Sequence, residues 1–266
     1  RDCLLSRGLG DVYKRQIREN GKPAGRSSTA NIEIVPKADG TSGIEIYIKP
    51  GTKNESVHIP VILSKAGYQE TVHNDFYIGA DADVVIVAGC GIHNCGGVDL
   101  TSRHDGVHTF YVGRNARVKY VEKHYGEGDG NGENVMNPTT VVHLDEGAYM
   151  EMETTQIKGI DSTDRVTRAD LKAGANLVIR EKIYTHGRQR ADTDFSVDMN
   201  GAGASADVVS RSVAAGESRQ NFNSTMNGNA PCHGHTECDA IIMDKASVTA
   251  APCLCLLYTS DAADDK

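Results

Sequence analysis

Tryptophan is absent from the 266 residues, and the aromatic residues phenylalanine and tyrosine make up only 5% of them. Glycine, by contrast, reaches 28 residues. A composition poor in aromatics and rich in glycine, valine, isoleucine and threonine favours short strands and tight turns over long helices. The sequence therefore predicts a mainly β protein.

Three further absences exclude whole classes of function. Lysine and arginine number 28 against 36 acidic residues, and the net charge of −8 argues against nucleic acid as the main partner. No apolar run approaches the roughly 20 residues of a membrane-spanning helix, so no membrane role is expected. The G-x-x-x-x-G-K-[ST] motif is missing, so we expect no nucleotide to be bound by a P-loop of this chain.

Both ends of the chain share no pattern with its middle. Residues 1–16 and 253–266 resemble translated adapter sequence, and we treat them as non-native segments outside the fold, with natural disordered tails as the alternative. Between them, a strand-rich segment over residues 17–75 precedes a repetitive core over residues 76–252. Four scattered cysteines in this stretch indicate reduced thiols, and hence a cytoplasmic protein, rather than a disulfide framework.

The core repeats a strand, a short turn, an alanine and a second strand. Alternation such as Met150 and Met152 places every second side chain on one face. Units of about 30 residues built from two short strands are typical of solenoids, in which each coil buries its face against the next. We therefore predict a parallel β-helix, with a β-sandwich as the alternative. The alanines that mark the repeat are Ala82, Ala116, Ala148, Ala175, Ala206 and Ala246.

A first group of soft ligands lies in the stretch GCGIHNCGGVDLTSRHDGVHTF. Thiolates and imidazoles suit zinc, copper or iron–sulfur chemistry. Because three histidines with an open position form a catalytic zinc site, a β-helical zinc enzyme using His93, His104 and His108 is one hypothesis. Turn histidines that donate to backbone carbonyls are the plain alternative. The candidate metal ligands of this group are Cys90, His93, Cys95, His104 and His108.

A second group fills residues 231–244, PCHGHTECDAIIMD. If HTECDAIIMD is a strand, Cys238 leaves it on one face, and His235 and Glu237 leave it on the other. The stretch therefore cannot close around one ion by itself. We expect Cys238 to face outward and to share a ligand set with a neighbouring coil or a second chain, the alternative being an inert buried cysteine.

Longer segments of the chain resemble the SufB/SufD family of iron–sulfur cluster assembly scaffolds. These segments are GCGIHN, SRHDGVHTFYVGRNARVKYVEKHYGEGDG, NPTTVVHLDEGAYMEMETTQIKG and GHTECDAIIMD. The resemblance covers residues 17–252, and the short SufB-like form of anaerobic bacteria and archaea is the best match. It implies a right-handed parallel β-helix that pairs with a second SufB/SufD-type subunit, as a homodimer or a heterodimer. It also implies a SufC-type ABC ATPase as partner, which agrees with the missing P-loop.

For function, the resemblance implies an assembly scaffold rather than an enzyme. Such a scaffold builds a transient Fe–S cluster with sulfur from a donor protein and passes the cluster to apo-protein acceptors. The T-x-C-D segment of the family carries the cysteine required for assembly, which is Cys238 here, with His235 and Glu237 as weaker supporting ligands. A SufD-like partner with a purely structural role is the alternative. The sequence departs from the family in lacking the N-terminal cysteine motif and the C-terminal helical part that docks on the ATPase.

Overall fold

The computed structural model describes residues 15–94, 100–128 and 132–256. Nineteen β-strands make up most of this part of the chain, which contains no helix and therefore none that is long and apolar enough to cross a membrane. The strands are β1 (Arg15–Glu19), β2 (Lys22–Ser27), β3 (Ile32–Pro36), β4 (Gly43–Ile48), β5 (Lys53–Leu63), β6 (Gln69–Ile78), β7 (Asp83–His93), β8 (Ser102–Val112), β9 (Arg117–Glu127), β10 (Asn134–Met136), β11 (Thr139–Leu144), β12 (Tyr149–Gln156), β13 (Ser162–Leu171), β14 (Asn176–Thr185), β15 (Arg190–Met199), β16 (Ser205–Ala214), β17 (Arg219–Gly228), β18 (His233–Ile242) and β19 (Ser247–Leu256).

Two mainly parallel sheets form the walls of a solenoid. Each coil contributes to both sheets, so most strands pair with strands of the preceding and following coils. The nine-strand sheet runs β18-β16-β14-β12-β9-β7-β5-β1-β2. The ten-strand sheet runs β19-β17-β15-β13-β10-β8-β6-β4-β3, and β11 also pairs with β13 and β8. The parallel stacking confirms the predicted β-helix and rejects the β-sandwich, which is built from antiparallel sheets.

The N-terminal strands begin as hairpins and then join the stack. β1 pairs antiparallel with β2, and β3 with β4. β5 and β6 already pair in parallel with β7 and β8, so the solenoid begins before residue 76. At the other end, β19 runs to Leu256 and pairs with β17 along its whole length.

One corner of the solenoid is a tight turn with a small buried residue at its exit. The amide of that residue donates a hydrogen bond to the carbonyl three residues earlier, as at Ala148 and Ala175. The preceding residues Gly147 and Gly174 have φ values of 66° and 64°. Glycine adopts such positive φ values readily, whereas residues that carry a side chain rarely do. The repeating alanines therefore mark the same corner in successive coils.

The structure corrects the last two alanines of the predicted repeat. Ala204, rather than Ala206, makes the corner hydrogen bond of its coil. Cys232 takes the equivalent place in the next coil, because β18 pairs with β16 directly after it. Ala246 belongs to the opposite corner, where β18 turns into β19. The coils are therefore more regular than the sequence spacing suggested, and Cys232 is a small corner residue.

Strand alternation fills the interior with aliphatic and aromatic side chains. Phe76 and Phe110 stack with their ring centroids 4.3 Å apart, and Tyr120 packs edge-on against Phe110 at 4.9 Å. All three side chains are fully buried. This central cluster holds the middle coils together through dispersion and removal of apolar surface from water.

A second aromatic stack lies on the outside of the ten-strand sheet. Tyr47, Tyr77, Tyr111 and His143 come from successive strands, with ring centroids 4.8, 5.1 and 5.0 Å apart. They line a surface groove of about 450 Å³. Because the rings cover one another's faces, the stack supports the sheet rather than offering a platform for a flat ligand. We refer to it as the tyrosine stack.

Candidate functional site

Two rows of inward-facing side chains in the nine-strand sheet interrupt the apolar interior. They follow from the parallel register, because residues paired on neighbouring strands stack along the solenoid axis. The first row contains Ala88, Glu122, Thr154, Glu181, Ser210 and Cys238. The second row contains Cys90, His124, Gln156, Ile183, Ser212 and Ala240. The second row begins at Cys90 on β7, and the neighbouring first row ends at Cys238 on β18.

Cys90 is 4% exposed and interacts with His104 and His124. Burial raises the pKa of its thiol, but the two histidines outweigh burial and bring the pKa of Cys90 down to about 7. Burial lowers the pKa of His104, but Cys90 and Glu70 raise it to about 10. Oε1 of Glu70 lies 3.1 Å from Nδ1 of His104. At and above neutral pH, the arrangement favours a thiolate beside an imidazolium.

Three charged side chains meet in the interior between the two cysteines. Arg165 on β13 crosses from the ten-strand sheet, and its guanidinium lies 2.7 Å from Oε2 of Glu122 and 3.4 Å from Oε1 of Glu181. All three residues are at most 3% exposed. Ser210 donates a further hydrogen bond of 2.7 Å to Glu181. Such pairing is needed because a buried charge without a partner is strongly destabilising.

The two carboxylates do not hold their charge equally. Burial raises the pKa of Glu122, but His124 and Arg165 outweigh burial and hold this pKa well below its usual value. At Glu181 burial dominates, and the pKa is raised despite Arg165. The difference follows from His124, which lies 3.4 Å from Glu122 and does not act on Glu181, and from the shorter contact of Arg165 with Glu122. The negative charge of the cluster therefore resides first on Glu122.

Cys238 faces the interior of the solenoid, not the outside as the sequence led us to expect. It is paired in the first row with Ser210, which is buried. Cys238 itself is half-buried, and among the described strands β18 pairs with β16 alone. Burial, together with Glu181 and Asp239, raises the pKa of its thiol. Alternation shows which residues share a face, but it does not show which face is inside, and the expectation failed there.

His235 and Glu237 lie on the outer face of the same strand. Nε2 of His235 is 3.4 Å from Oε2 of Glu237, and Arg211 on the neighbouring strand approaches Glu237 at 3.8 Å. The predicted separation of these two residues from Cys238 is therefore confirmed. Within one chain they point to the side of the sheet opposite to Cys238, so the fold of a single chain does not bring them to its thiol.

The first predicted ligand group is only partly brought together. His104 contacts Cys90, whereas His108 is held by two other buried side chains. His93 is exposed at the end of β7, and Cys95 lies outside the described residues. Within the described ranges, no three histidine, cysteine, aspartate or glutamate side chains are placed to hold a metal ion. The described geometry thus gives the zinc-enzyme hypothesis no support.

A family model matches most of the chain. The family model described as "SUF system FeS cluster assembly, SufBD core domain" matches residues 62–261. The chain belongs to the SufB/SufD family. Its two interior cysteines, Cys90 and Cys238, both lie inside the matched region.

Three archaeal relatives share the description "iron–sulfur cluster assembly SufBD family protein". The protein of Methanocaldococcus jannaschii is 25% identical over 217 residues, which cover 80% of this chain and 67% of that protein. That of Methanothermobacter thermautotrophicus is 25% identical over 218 residues, covering 79% of this chain and 50% of that protein. That of Archaeoglobus fulgidus is 22% identical over 217 residues, with coverage of 80% and 56%. The chain spans between half and about two thirds of the length of these relatives.

In this SufB/SufD chain, sequence reasoning missed the buried charged residues. Glu122 and His124 follow Tyr120 at alternate positions of β9, so all three share the inner face. Glu181 occupies an inner position of β14 in the same way. A charged residue at an inward position is an informative signal, since charged residues are seldom buried without a partner. Arg165 could be recognised as that partner only from the packing of one sheet against the other.

Proposed function

We propose that this SufB/SufD chain is a scaffold on which an iron–sulfur cluster is assembled, as cargo, at Cys238. The observation that carries the proposal is the position of Cys238, which is half-buried at the end of the first polar row, next to the buried Ser210 and close to Glu181. A thiolate is both a soft ligand and a nucleophile, so this residue is suited to bind iron or accept sulfur. Because its pKa is raised, loading the cysteine displaces a proton.

One cysteine is too few for a cluster, which takes several protein ligands. We assign the missing ligands to a second SufB/SufD-type subunit, in a homodimer or a heterodimer. Exposed apolar side chains on the last two strands support this, with Ile241 62% and Leu254 47% exposed. His235 and Glu237 remain candidate ligands on the side of that partner.

Assembly needs reactants and energy from other proteins. With no P-loop in the sequence, we assign ATP hydrolysis to a SufC-type ABC ATPase. A donor protein supplies sulfur, and apo-proteins accept the finished cluster. The chain itself acts as a scaffold rather than an enzyme, in the cytoplasm, where thiols stay reduced.

The test compares Cys238→Ser with Cys232→Ser in anaerobic reconstitution with ferrous iron and sulfide. Cys232 is a matched control because it belongs to the same coil and packs against the same core as Cys238. We expect Cys238→Ser to lose most of the bound iron and acid-labile sulfide, and Cys232→Ser to keep both. Equal and stable loading of the two variants would refute the assignment.

The same assay separates the proposed scaffold from its alternatives. If the unchanged protein binds a cluster only together with a second SufB/SufD-type subunit, and Cys238→Ser binds it equally well in that complex, the chain has the SufD-like structural role. Tightly bound zinc without sulfide would instead indicate the metalloenzyme. We expect iron and sulfide to be bound together.

A further inference from the structure

A surface groove crosses the last three described turns that lead from the nine-strand sheet into the ten-strand sheet. These turns connect β14 to β15, β16 to β17 and β18 to β19, and backbone hydrogen bonds stack each turn on the next. Because the coils are in register, equivalent side chains line up along the solenoid axis. Two outer rows result, on either side of a row that starts with the buried Gln189 and Ser218. The outer rows are Arg188, Glu217 and Lys245, and Arg190, Arg219 and Ser247.

This groove, which we call the basic groove, is positively charged on a chain whose net charge is −8. Its volume is about 620 Å³, and the described side chains that line it include four cations and one carboxylate, that of Glu217. Arg190 and Arg219 occupy directly paired positions of β15 and β17, and neighbouring strands are only about 4.8 Å apart. Two like charges at this spacing repel each other. The fold therefore concentrates positive charge in the basic groove.

Carboxylates of the chain neutralise only part of this charge. Arg188 lies 3.5 Å from Glu217, and because both side chains are mainly exposed, this pair contributes little. Arg190 pairs with a carboxylate of its own strand. Arg219 and Lys245 form no ion pair with any residue that the structure describes. Two cations of the basic groove are thus available to carboxylates from outside the chain.

The shape of the basic groove distinguishes between three kinds of anionic ligand. Small molecules bind in pockets that bury most of the ligand between mainly apolar walls, whereas these walls are exposed side chains, with Arg188 91% exposed. Nucleic acid carries a continuous line of phosphates, which the negative charge of the rest of the chain repels. A short acidic protein segment meets neither objection. About three of its residues, in an extended conformation, span the roughly 10 Å from the first to the third coil.

We propose that the basic groove is a docking site for an acidic segment of a partner protein, which is held by Arg219 and Lys245. Carboxylates of the segment pair with these two cations and reduce the repulsion between Arg190 and Arg219. A guanidinium binds a carboxylate through two parallel hydrogen bonds, so the site selects for geometry as well as charge. The proposal goes beyond the cluster-assembly function and does not depend on it.

The test measures the binding of fluorescein-labelled hexaglutamate to the whole chain by fluorescence anisotropy at low salt. Arg219→Gln combined with Lys245→Gln removes the two unpaired cations and leaves no carboxylate without its partner. We expect this double variant to raise the Kd about fivefold or more, because each lost charge pair weakens binding. Added salt should weaken binding to the unchanged protein, since the contacts are exposed to solvent.

Lys123→Gln combined with Lys182→Gln is the matched control. Both lysines are exposed on the outer face of the nine-strand sheet, away from the basic groove. The control therefore has the same net charge as the first double variant, but its Kd should equal that of the unchanged protein. Circular dichroism and thermal unfolding check that the three proteins share one fold.

Three results would overturn the inference. The first is that the unchanged protein does not bind hexaglutamate. The second is an equal Kd in the two double variants, which would show that the peptide responds to net charge alone. The third is tighter binding of labelled hexathymidylate or of inorganic tripolyphosphate that is lost in the Arg219→Gln, Lys245→Gln variant, which would assign the basic groove to nucleic acid or to a small anion. No cluster is needed for these measurements, so failure of the scaffold function and failure of the docking site are distinguishable.

Discussion

At the scale of single residues, burial and charge act in opposite directions on the thiol of Cys90. His104 and His124 together favour the thiolate more than burial disfavours it, and the pKa falls to about 7. Replacing His104 by a neutral residue removes the larger of the two attractions, so burial is opposed by His124 alone. We expect His104→Gln to raise the pKa of Cys90 by on the order of one unit or more. The measurement is the ultraviolet absorbance of the thiolate as a function of pH. The absorbance of the Cys90→Ser variant is subtracted, so that only the Cys90 thiolate contributes.

His93→Gln is the matched control for this titration. His93 lies three residues further along the same strand but is exposed at its end. The pKa of Cys90 should stay near 7 in that variant. The same titration curve in both histidine variants would show that His104 does not set the charge of the thiol.

At the scale of strands, the tyrosine stack links β4, β6 and β8 side by side. Tyr77 stacks on two rings, whereas Tyr47 at the end of the stack contacts one. A stacked pair contributes about 1 kcal/mol beyond the area it buries. We expect Tyr77→Ala to lower the free energy of unfolding by about 1 kcal/mol more than Tyr47→Ala, as measured by denaturant unfolding. Equal losses of unfolding free energy in the two variants would mean that strand pairing alone positions the rings and that their stacking adds little stability.

Much of the strand architecture could be predicted from the sequence, because alternation and the turn residues are local signals. Alternation correctly separated Cys238 from His235 and Glu237. It could not show which face of β18 is inside, since that depends on how the preceding coil is registered against it. The same limitation explains why Ala206 was predicted as a corner residue in place of Ala204. The two residues are two positions apart, so their side chains point to the same face and alternation cannot distinguish them.

At the scale of the whole molecule, each coil is stabilised mainly by its two neighbours. β14 is flanked by β12 and β16, whereas within residues 132–256 β18 pairs with β16 alone. In such a linear array, local opening starts where a neighbour is missing. We expect the amides of β18 to exchange with deuterium about tenfold or more faster than those of β14 in dilute protein, as measured by mass spectrometry. Uniform exchange would instead indicate that the solenoid opens as one unit.

Repeating this exchange experiment at high protein concentration tests association through the end of the solenoid. A second copy seated on β18 and β19 covers their open edges and slows their exchange, while β14 is unaffected. A homodimer therefore predicts that protection of β18 increases with concentration. Concentration-independent exchange would contradict the homodimer and leave a different SufB/SufD-type subunit as the partner.

The contact of Arg165 with Glu122 on the opposite sheet depends on the whole molecule, and the sequence could not reveal it. Glu122 and Arg165 are separated by 43 residues and come from different sheets. Their meeting depends on the length of every intervening turn and on the width of the interior. A local pattern marks Glu122 as an inward charge, but the identity of its partner emerges only when the coils are stacked.

The tyrosine stack also gives the molecule an optical signature. The sequence has ten tyrosines and no tryptophan, so absorbance and circular dichroism between about 270 and 290 nm arise mainly from phenol rings. Three of these rings lie face to face on neighbouring coils, where their electronic transitions couple and their dichroism depends on the mutual orientation of the strands. Near-ultraviolet dichroism therefore reports the order of the early coils without any attached label. The reactivity of the Cys238 thiol reports the order of the last described coil.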